Sequence, residues 1–142
     1  MFLTNEFDRA WVREISPDTA PVQPILFYEV RKGEYGAMLK AAFLNLFHRD
    51  LVAFLDTHLT ETFHRYTTVI RPPQSEEENT DFLVIKPTTT TPLSSVMQTA
   101  GHPSLSVLQE GPSNLLVSSE LREILEKESF SGLRFSEPRL LG

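Results

Sequence analysis

A histidine and an aspartate two residues apart, His48 and Asp50, are the side chains of this sequence that could act as an acid–base pair. Such a pair transfers protons in catalysis only when both groups converge on a substrate in a concave site. The triplet His-Arg-Asp also occurs in the catalytic loop of protein kinases. This sequence has neither their glycine-rich loop nor their Asp-Phe-Gly, so we treat the match as chance. A small enzyme that uses His48 and Asp50 is the third of three interpretations that we consider.

The other histidines lack the spacing of metal ligands. His58 and His64 are six residues apart, which would place them on opposite sides of a helix, and no His-Glu-x-x-His pattern occurs with them or with His102. The sequence contains no cysteine, which excludes disulfides, thiolate nucleophiles and cysteine-ligated zinc. It also lacks the glycine patterns that cradle phosphates. We therefore predict no metal, no cofactor and no catalytic residue.

Acidic side chains are concentrated in two stretches, the segment from Glu76 to Asp81 and the helix-forming segment from Glu120 to Glu128. Consecutive glutamates in a loop are solvated charges and do not make a fixed general acid. They can steer a basic partner and accept bidentate bonds from its arginines. A solvated face with no partner is the alternative. We predict as partner-binding residues Glu76, Glu77, Glu78, Asp81, Glu120 and Glu123.

The bulk composition is that of one acidic globular domain covering residues 1–142, with a net charge of −6. This charge argues against a nucleic-acid partner, which would need a basic face. The N-terminus has no signal-peptide pattern, and charged residues interrupt the longest apolar stretch, Ala37 to Leu59. We therefore expect a cytoplasmic protein that does not enter a membrane. The sequence leaves its oligomeric state open.

The predicted fold class is α+β, a mixed sheet packed against helices. Residues 1–24 are turn-rich and are predicted to be irregular, because their prolines remove backbone donors. Ile25 to Arg31 is predicted to be a strand. Apolar residues spaced by three and four predict either one long helix or two shorter ones over about residues 37–63. In the second case Asp50 would cap a helix that starts at Leu51.

Two further strands and a loop follow. Tyr66 to Ile70 and Phe82 to Lys86 are predicted to pair as a hairpin, and the nearly all-apolar second strand should be buried on both faces. Their connection, Arg71 to Asp81, is long for a hairpin, which suggests either mobility or a function. The Pro-bounded threonine run after Lys86 should be extended. The segment from Leu93 to Gly111 shows no clear pattern.

The C-terminal cassette, residues 118–135, is the most strongly patterned part of the chain. Ser118 or Ser119 can cap a helix over about 119–128, and Glu123 and Lys127 are placed as an i,i+4 pair. Gly132 can then take a left-handed conformation, and Arg134 should lie on the opposite sheet face from its neighbours. The flanking strands should run parallel through a right-handed crossover. The buried stripe of the helix is predicted to consist of Leu121, Ile124 and Leu125.

This cassette resembles the end of the bacterial polymorphic-toxin immunity proteins catalogued as immunity protein eleven. The family closes on a strand, a helix of the type S-x-x-L-x-x-x-L and then G-x-R-F, and "FLVIK" resembles its preceding core strand. The resemblance covers about the last 60 residues. The matching positions here are Ser118, Leu121, Leu125, Gly132, Arg134 and Phe135.

The resemblance implies an α/β or α+β domain that is encoded beside a toxin, binds it and blocks its active site, and is not an enzyme. Bacterial competition would be its setting, and a basic surface on the toxin would suit the acidic chain. The alternative function is a chaperone or adaptor that escorts a secreted effector.

Overall fold

The computed structural model describes residues 1–7, 12–14, 24–30, 33–41, 43–60, 63–72, 77–98 and 101–138, and it has the predicted α+β class. Two helices, α1 (Arg49–His58) and α2 (Ser119–Glu128), pack with two mixed sheets, and a short 3-10 turn covers Leu93–Ser95. The strands are β1 (Phe2–Asn5), β2 (Val12–Glu14), β3 (Ile25–Glu29), β4 (Met38–Ala41), β5 (Leu44–His48), β6 (Phe63–Arg71), β7 (Phe82–Pro87), β8 (Thr90–Thr91), β9 (Leu105–Leu108), β10 (Gly111–Val117) and β11 (Leu133–Ser136).

The first sheet has the strand order β2-β3-β6-β7-β5-β4, and only the β3–β6 pair is parallel. It is curled, since its edge strands β2 and β4 approach each other. The residues inside the curl form an inner core that is almost completely excluded from solvent. Its members are Phe27, Leu39, Ala41, Leu46, Ile70, Phe82 and Val84.

The second sheet has the order β11-β1-β10-β9-β8, antiparallel except for β8–β9. Its apolar face packs against the outward face of β4, β5 and β7, together with α1 and α2. Met38, Phe47 and Ile85 from the first sheet meet Leu115 and Leu121 from β10 and α2 in this main core. Strands β4, β5 and β7 therefore bury side chains on both faces, because one face lines the inner core and the other the main core.

This double burial explains why the predicted helix over 37–63 is wrong in its first half. Residues 38–48 form the β4–β5 hairpin, and α1 covers only Arg49–His58. Consecutive residues are buried on opposite faces: Leu39 and Leu46 face the inner core, whereas Met38 and Phe47 face the main core. An apolar run of this kind contains helical spacings by chance, so periodicity cannot distinguish it from a helix.

The predicted cap of the second helix is also wrong. His48, not Asp50, is the N-cap of α1, and its Nδ1 accepts a hydrogen bond from the backbone N–H of Asp50 at 3.1 Å. Asp50 lies in the first turn, where its negative charge is favourable near the helix N-terminus. The helix consequently starts two residues before Leu51.

The prediction of an irregular N-terminal segment over 1–24 is wrong where the structure describes it. Phe2–Asn5 forms a strand that lies between β10 and β11, and Val12–Glu14 pairs with β3. A strand of four residues is too short to show a period, and its partners lie more than 100 residues away along the chain. The proline-rich part of that segment, residues 15–23, lies outside the described residues.

Other predicted elements are confirmed. β3 lies at the predicted position, and β6 and β7 form the predicted antiparallel hairpin. The threonine run is extended and contains β8. A strand that the sequence did not indicate, Leu105–Leu108, lies in the unpatterned segment with all four residues buried.

The C-terminal cassette is largely confirmed. Ser118 caps α2, and Leu121 and Leu125 are buried, while Ile124 is only half-buried. The i,i+4 ion pair on this helix is Arg122–Glu126, not the predicted Glu123–Lys127.

The end of the cassette also follows the prediction in part. Gly132 has the predicted positive φ of 79°, although the residue that ends the helix in the left-handed region is Ser129. Arg134 is exposed between two half-buried neighbours, as its position in the strand predicts. β10 and β11 run parallel as predicted, because both are antiparallel to β1, which lies between them.

Candidate functional site

A cleft of about 620 Å³ opens between the two sheets. It lies where β5 and β10 begin and β7 ends, so the helices that follow β5 and β10 lie at the other ends of those strands. The lining is mostly apolar, and its size is that of a site for a small molecule or a few residues of a peptide. The lining residues are Phe43, Leu44, Asn45, Ile85, Lys86, Pro87, Val107, Gly111, Pro112 and Ser113.

Phe43 stands at the rim of this cleft in the tight β4–β5 connection. The residue is 81% exposed, although phenylalanine is large and apolar. Phe43 falls within the helix predicted over residues 37–63, and the structure places it between two strands instead. An exposed aromatic side chain beside an apolar cleft can serve as a binding anchor, because anchors of this kind pack into water-excluding pockets of a partner.

The irregular first half of β10 forms one wall of the cleft. The pairing of β10 with β9 shifts register between Gly111 and Leu115. The carbonyl oxygen of Ser113, in this irregular stretch, accepts two bonds from the first sheet. Lys40 Nζ donates at 3.2 Å and Asn45 Nδ2 at 3.0 Å. These bonds fix the side chain of Asn45 and join the two sheets at the cleft.

Asn45 presents an unpaired acceptor in this wall. The residue is only 5% exposed, and within the described part of the chain its Oδ1 has no hydrogen-bond partner. Exchange of the amide oxygen and nitrogen would not help, since Ser113 offers an acceptor and needs the NH₂ group. A buried acceptor left unpaired costs about 1–3 kcal/mol.

Two lysines lie at or near the cleft. Lys86 lines it, with its ammonium 5.6 Å from the centre of the Tyr66 ring, and Lys40 reaches the same wall. The described lining residues include no carboxylate.

His48 and Asp50 both line a second, smaller pocket of about 250 Å³, with Tyr35 and Phe130. Their closest side-chain distance, His48 Nδ1 to Asp50 Oδ2, is 3.5 Å. The Nδ1 atom is already used as the acceptor that caps α1. Capping gives this histidine a structural role, and Asp50 is exposed at the mouth of the pocket.

The predicted partner-binding acids lie away from the cleft, and part of their charge is compensated. Glu76 lies outside the described residues. Glu77 and Glu78 are exposed, and Glu78 Oε1 accepts from Arg71 Nε at 3.2 Å. Asp81 lies 3.6 Å from Arg49 Nε.

The other two predicted acids are on α2. Glu120 lies in its first turn, where the helix dipole favours a carboxylate, and Glu123 is exposed one turn later. Glu120 Oε2 is buried without a hydrogen-bond partner among the described residues. The described members of the predicted set therefore occupy two separate elements.

Sequence reasoning missed the cleft because its residues come from three distant segments. Asn45 and Ser113 are 68 residues apart along the chain, and no local pattern links them. The one available signal was Gly111-Pro112, which indicates a break in regular structure but not a cleft.

Among the described residues, no group of three or more His, Asp or Glu side chains could hold a metal ion. Neither described helix is long and apolar enough to cross a membrane. Comparison with models of protein families, with curated proteins and with solved structures found no match for this chain.

Proposed function

We propose that this protein is an immunity protein that binds a cognate bacterial toxin or effector in the cytoplasm and neutralises it by covering its active site. The observation that carries the proposal is Phe43, an aromatic side chain 81% exposed at the rim of an apolar cleft. Buried aromatic anchors that fill pockets provide most of the binding energy in protein interfaces. Inhibition of this kind is stoichiometric and needs no turnover.

The charge of the chain supports the same function at longer range. A net charge of −6 would attract a toxin with a basic surface and raise the association rate. Glu77, Glu78 and Asp81 in the β6–β7 loop, and Glu120 and Glu123 on α2, remain the predicted contacts for such a surface. In this proposal the acidic residues raise the association rate, and contacts at the cleft stabilise the bound complex.

Replacement of Phe43 tests the proposal. The chain is co-expressed with the C-terminal domain of a secreted protein encoded beside its gene, and both cell survival and affinity are measured. Phe43→Ala should weaken binding about thirtyfold or more, since anchor residues contribute about 2 kcal/mol or more. Met97→Ala is the matched control, because Met97 is also a large exposed apolar residue but lines a different depression. Failure of the wild type to rescue the cells would contradict the proposal, and equal affinity and survival for wild type and Phe43→Ala would remove Phe43 from the interface.

The cleft also favours a second candidate, a chaperone or adaptor that holds a segment of a secreted effector. The volume and apolar lining of the cleft would suit an extended peptide as well as a side chain from a folded partner. The two functions differ in their outcome. A chaperone would raise the amount of effector secreted while leaving its activity unblocked, whereas an immunity protein would rescue cells from a toxin that is already active.

A further inference from the structure

We propose that His48 is a proton-operated cap of helix α1, and that its protonation exchanges a bond to the backbone N–H of Asp50 for an ion pair with the carboxylate of Asp50. The inference goes beyond the proposed function and does not depend on it. It rests on the geometry around one atom, Nδ1 of His48. That atom faces a hydrogen-bond donor and a carboxylate oxygen of the same neighbouring residue.

The neutral imidazole is the form that caps the helix. His48 Nδ1 accepts a hydrogen bond from the backbone N–H of Asp50 at 3.1 Å, so this nitrogen carries no hydrogen of its own. The hydrogen of the neutral ring is therefore on Nε2. The usual N-cap residues accept through a side-chain oxygen that stays an acceptor at neutral pH. A histidine cap differs from them, because a proton can occupy the accepting atom.

A carboxylate oxygen lies beside the same nitrogen. Asp50 Oδ2 is 3.5 Å from His48 Nδ1, and neither of the two atoms carries a hydrogen when the imidazole is neutral. Protonation of Nδ1 removes the acceptor of the N–H and supplies a donor for the carboxylate. The side chain of His48 is 29% exposed, so it can take this proton directly from solvent. Histidine is the side chain that exchanges a proton between about pH 5 and pH 8.

The described side chains that other elements place around this ring are uncharged or already paired. The ring of Phe82 on β7 meets the imidazole edge-on, with centroids 5.4 Å apart. Phe130 and Ser131, after α2, line the adjacent pocket and carry no charge. Tyr35, from the loop before β4, lines the same pocket, and its hydroxyl donates to the carboxylate of Glu29. Asp50 is therefore the carboxylate that the geometry offers to a protonated His48.

Two further charged residues, Arg49 and Asp81, lie at the start of α1 and balance each other. Arg49 Nε is 3.6 Å from Asp81 Oδ1. The backbone N–H of Arg49 donates to the carbonyl oxygen of Asp81 at 2.8 Å, a bond that does not involve His48. The first residue of the helix therefore stays attached to the end of the β6–β7 loop when the cap is lost. The exchange is confined to the N–H and the carboxylate of Asp50.

This exchange changes the charge at the mouth of the pocket of about 250 Å³. The side chain of Asp50 is 77% exposed there. With a neutral His48 the mouth presents a carboxylate that no cation balances, whereas with a protonated His48 it presents an ion pair. A molecule that approaches this pocket thus meets a different electrostatic surface on either side of the transition.

NMR spectroscopy of the whole chain from about pH 8 to about pH 5 tests the inference. Correlation of the imidazole nitrogens with the ring protons should show, at the high-pH end, a hydrogen on Nε2 of His48 and none on Nδ1. As the pH falls, the amide proton of Asp50 should move upfield together with the change of the imidazole, because it loses its hydrogen bond. The amide of Arg49 should move less, since its acceptor is the Asp81 carbonyl. A hydrogen on Nδ1 at the high-pH end, or an Asp50 amide that does not follow the imidazole, would overturn the inference.

Two variants separate the cap from the charge of Asp50 itself. In His48→Asn an amide oxygen that binds no proton retains the cap, so the amide of residue 50 should not change over this pH range. In Asp50→Asn both the backbone N–H and the histidine remain, so the amide of residue 50 should still lose its bond on acidification. A change that persists in His48→Asn, or that disappears in Asp50→Asn, would assign the signal to the carboxylate of Asp50 and overturn the inference.

His58→Asn is the matched control, because His58 is an exposed histidine at the opposite end of the same helix. It should leave the response of the His48 ring and of the Asp50 amide unchanged. Equal loss of the amide response in His48→Asn and His58→Asn would show that the helix as a whole responds to pH, and it would overturn the inference as well.

Discussion

Tyr35 connects a buried carboxylate to the loop that leads into β4. Its hydroxyl donates to Glu29 Oε2 at 3.1 Å, and Glu29 on β3 is only 6% exposed. Burial, followed by the negative charge and the hydrogen bond of Glu29, raises the pKa of Tyr35 above its ordinary value. The neutral phenol is therefore the form that the folded protein favours.

Replacement of Tyr35 by Phe should lower the free energy of unfolding by about 1 kcal/mol, the low end for a buried acceptor that loses its donor. The low end applies because Tyr35 is 39% exposed and water can partly replace it. Urea unfolding at pH 8 measures the loss. Tyr28→Phe is the control and should change little, because Tyr28 is an exposed residue on β3, the strand that carries Glu29.

The pH dependence follows from the direction of the pKa shift of Tyr35. A phenol with a raised pKa in the folded state stabilises the fold fully below its unfolded pKa of about 10, and this stabilisation is lost as the pH rises through the folded value. Wild-type stability should therefore decrease above about pH 10, and the decrease should be smaller in Tyr35→Phe. Identical slopes in the two proteins would contradict this role.

At the scale of elements, Ser118 joins α2 to the strand layer. Its Oγ accepts from the backbone N–H of Leu121 at 3.2 Å and from that of Ser104 at 2.9 Å. The first bond is an N-cap, and the second attaches the segment before β9 to the same oxygen. One hydroxyl thus satisfies two backbone donors that belong to different elements.

Ser118→Ala should destabilise the protein by about 1–2 kcal/mol, because both backbone donors lose their acceptor. Thermal unfolding followed by circular dichroism measures the effect. Ser119→Ala is the matched control, since Ser119 is an exposed residue in the first turn of the same helix. Equal melting temperatures for the two variants would show that the Ser118 hydroxyl does not stabilise the protein as the N-cap of α2.

A close backbone approach joins the loop before β4 to the turn after α2. A Cβ on Gly36 would lie 2.7 Å from Gly132 Cα and 2.9 Å from Ser131 O, both of them backbone atoms. The backbone N–H of Ala37 also donates to Ser131 O at 2.7 Å. Only glycine allows these two segments to touch.

Gly36→Ala should therefore cost about 1–3 kcal/mol or more, because a backbone contact cannot be relieved by rotating a side chain. Gly101→Ala is an informative comparison, since a Cβ there would meet nothing within 4 Å and only its positive φ opposes alanine. Chemical unfolding should place Gly36→Ala as the less stable of the two. The reverse order would contradict the packing argument.

For the whole molecule, the charge predicts how fast a basic partner associates. Glu77→Lys combined with Glu78→Lys should slow association severalfold at low salt and flatten its dependence on ionic strength. The control is a double reversal of Glu34 and Glu128, two exposed residues elsewhere, which changes the net charge equally. Equal effects of the two pairs would assign the steering to net charge and remove the β6–β7 loop from the interface.

The elements that the sequence predicted correctly are those whose main interactions are local or whose burial is continuous. Ser118 caps a backbone N–H three residues away, and Leu121 and Leu125 are one helical turn apart. Such patterns are complete within about two turns of helix, so they are visible without knowing what the helix packs against. The apolar strand β7 was visible for a related reason, since burial on both faces requires an uninterrupted run.

The cleft was beyond sequence prediction because its features come from pairings across the chain. Phe43 is exposed because residues 38–48 turn back as a hairpin, and that choice depends on the inner core that β4 and β5 complete. The side chain of Asn45 is held at the cleft by its bond to the carbonyl oxygen of Ser113, which is 68 residues away along the chain. The sequence shows that these residues are present, but it does not show that they lie close together in the fold.

The sequence alone determined the α+β class, the acidic charge, the lack of cysteine chemistry and the capped C-terminal helix, since each depends on composition or on neighbours a few residues apart. The tertiary structure decided that residues 38–48 are a hairpin, that Phe2–Asn5 lies inside a sheet and that an apolar cleft opens between the layers. These features depend on contacts between distant segments, such as Phe2 with Ser136. The sequence specifies which side chains can be buried, and tertiary packing determines which face of each strand or helix is buried.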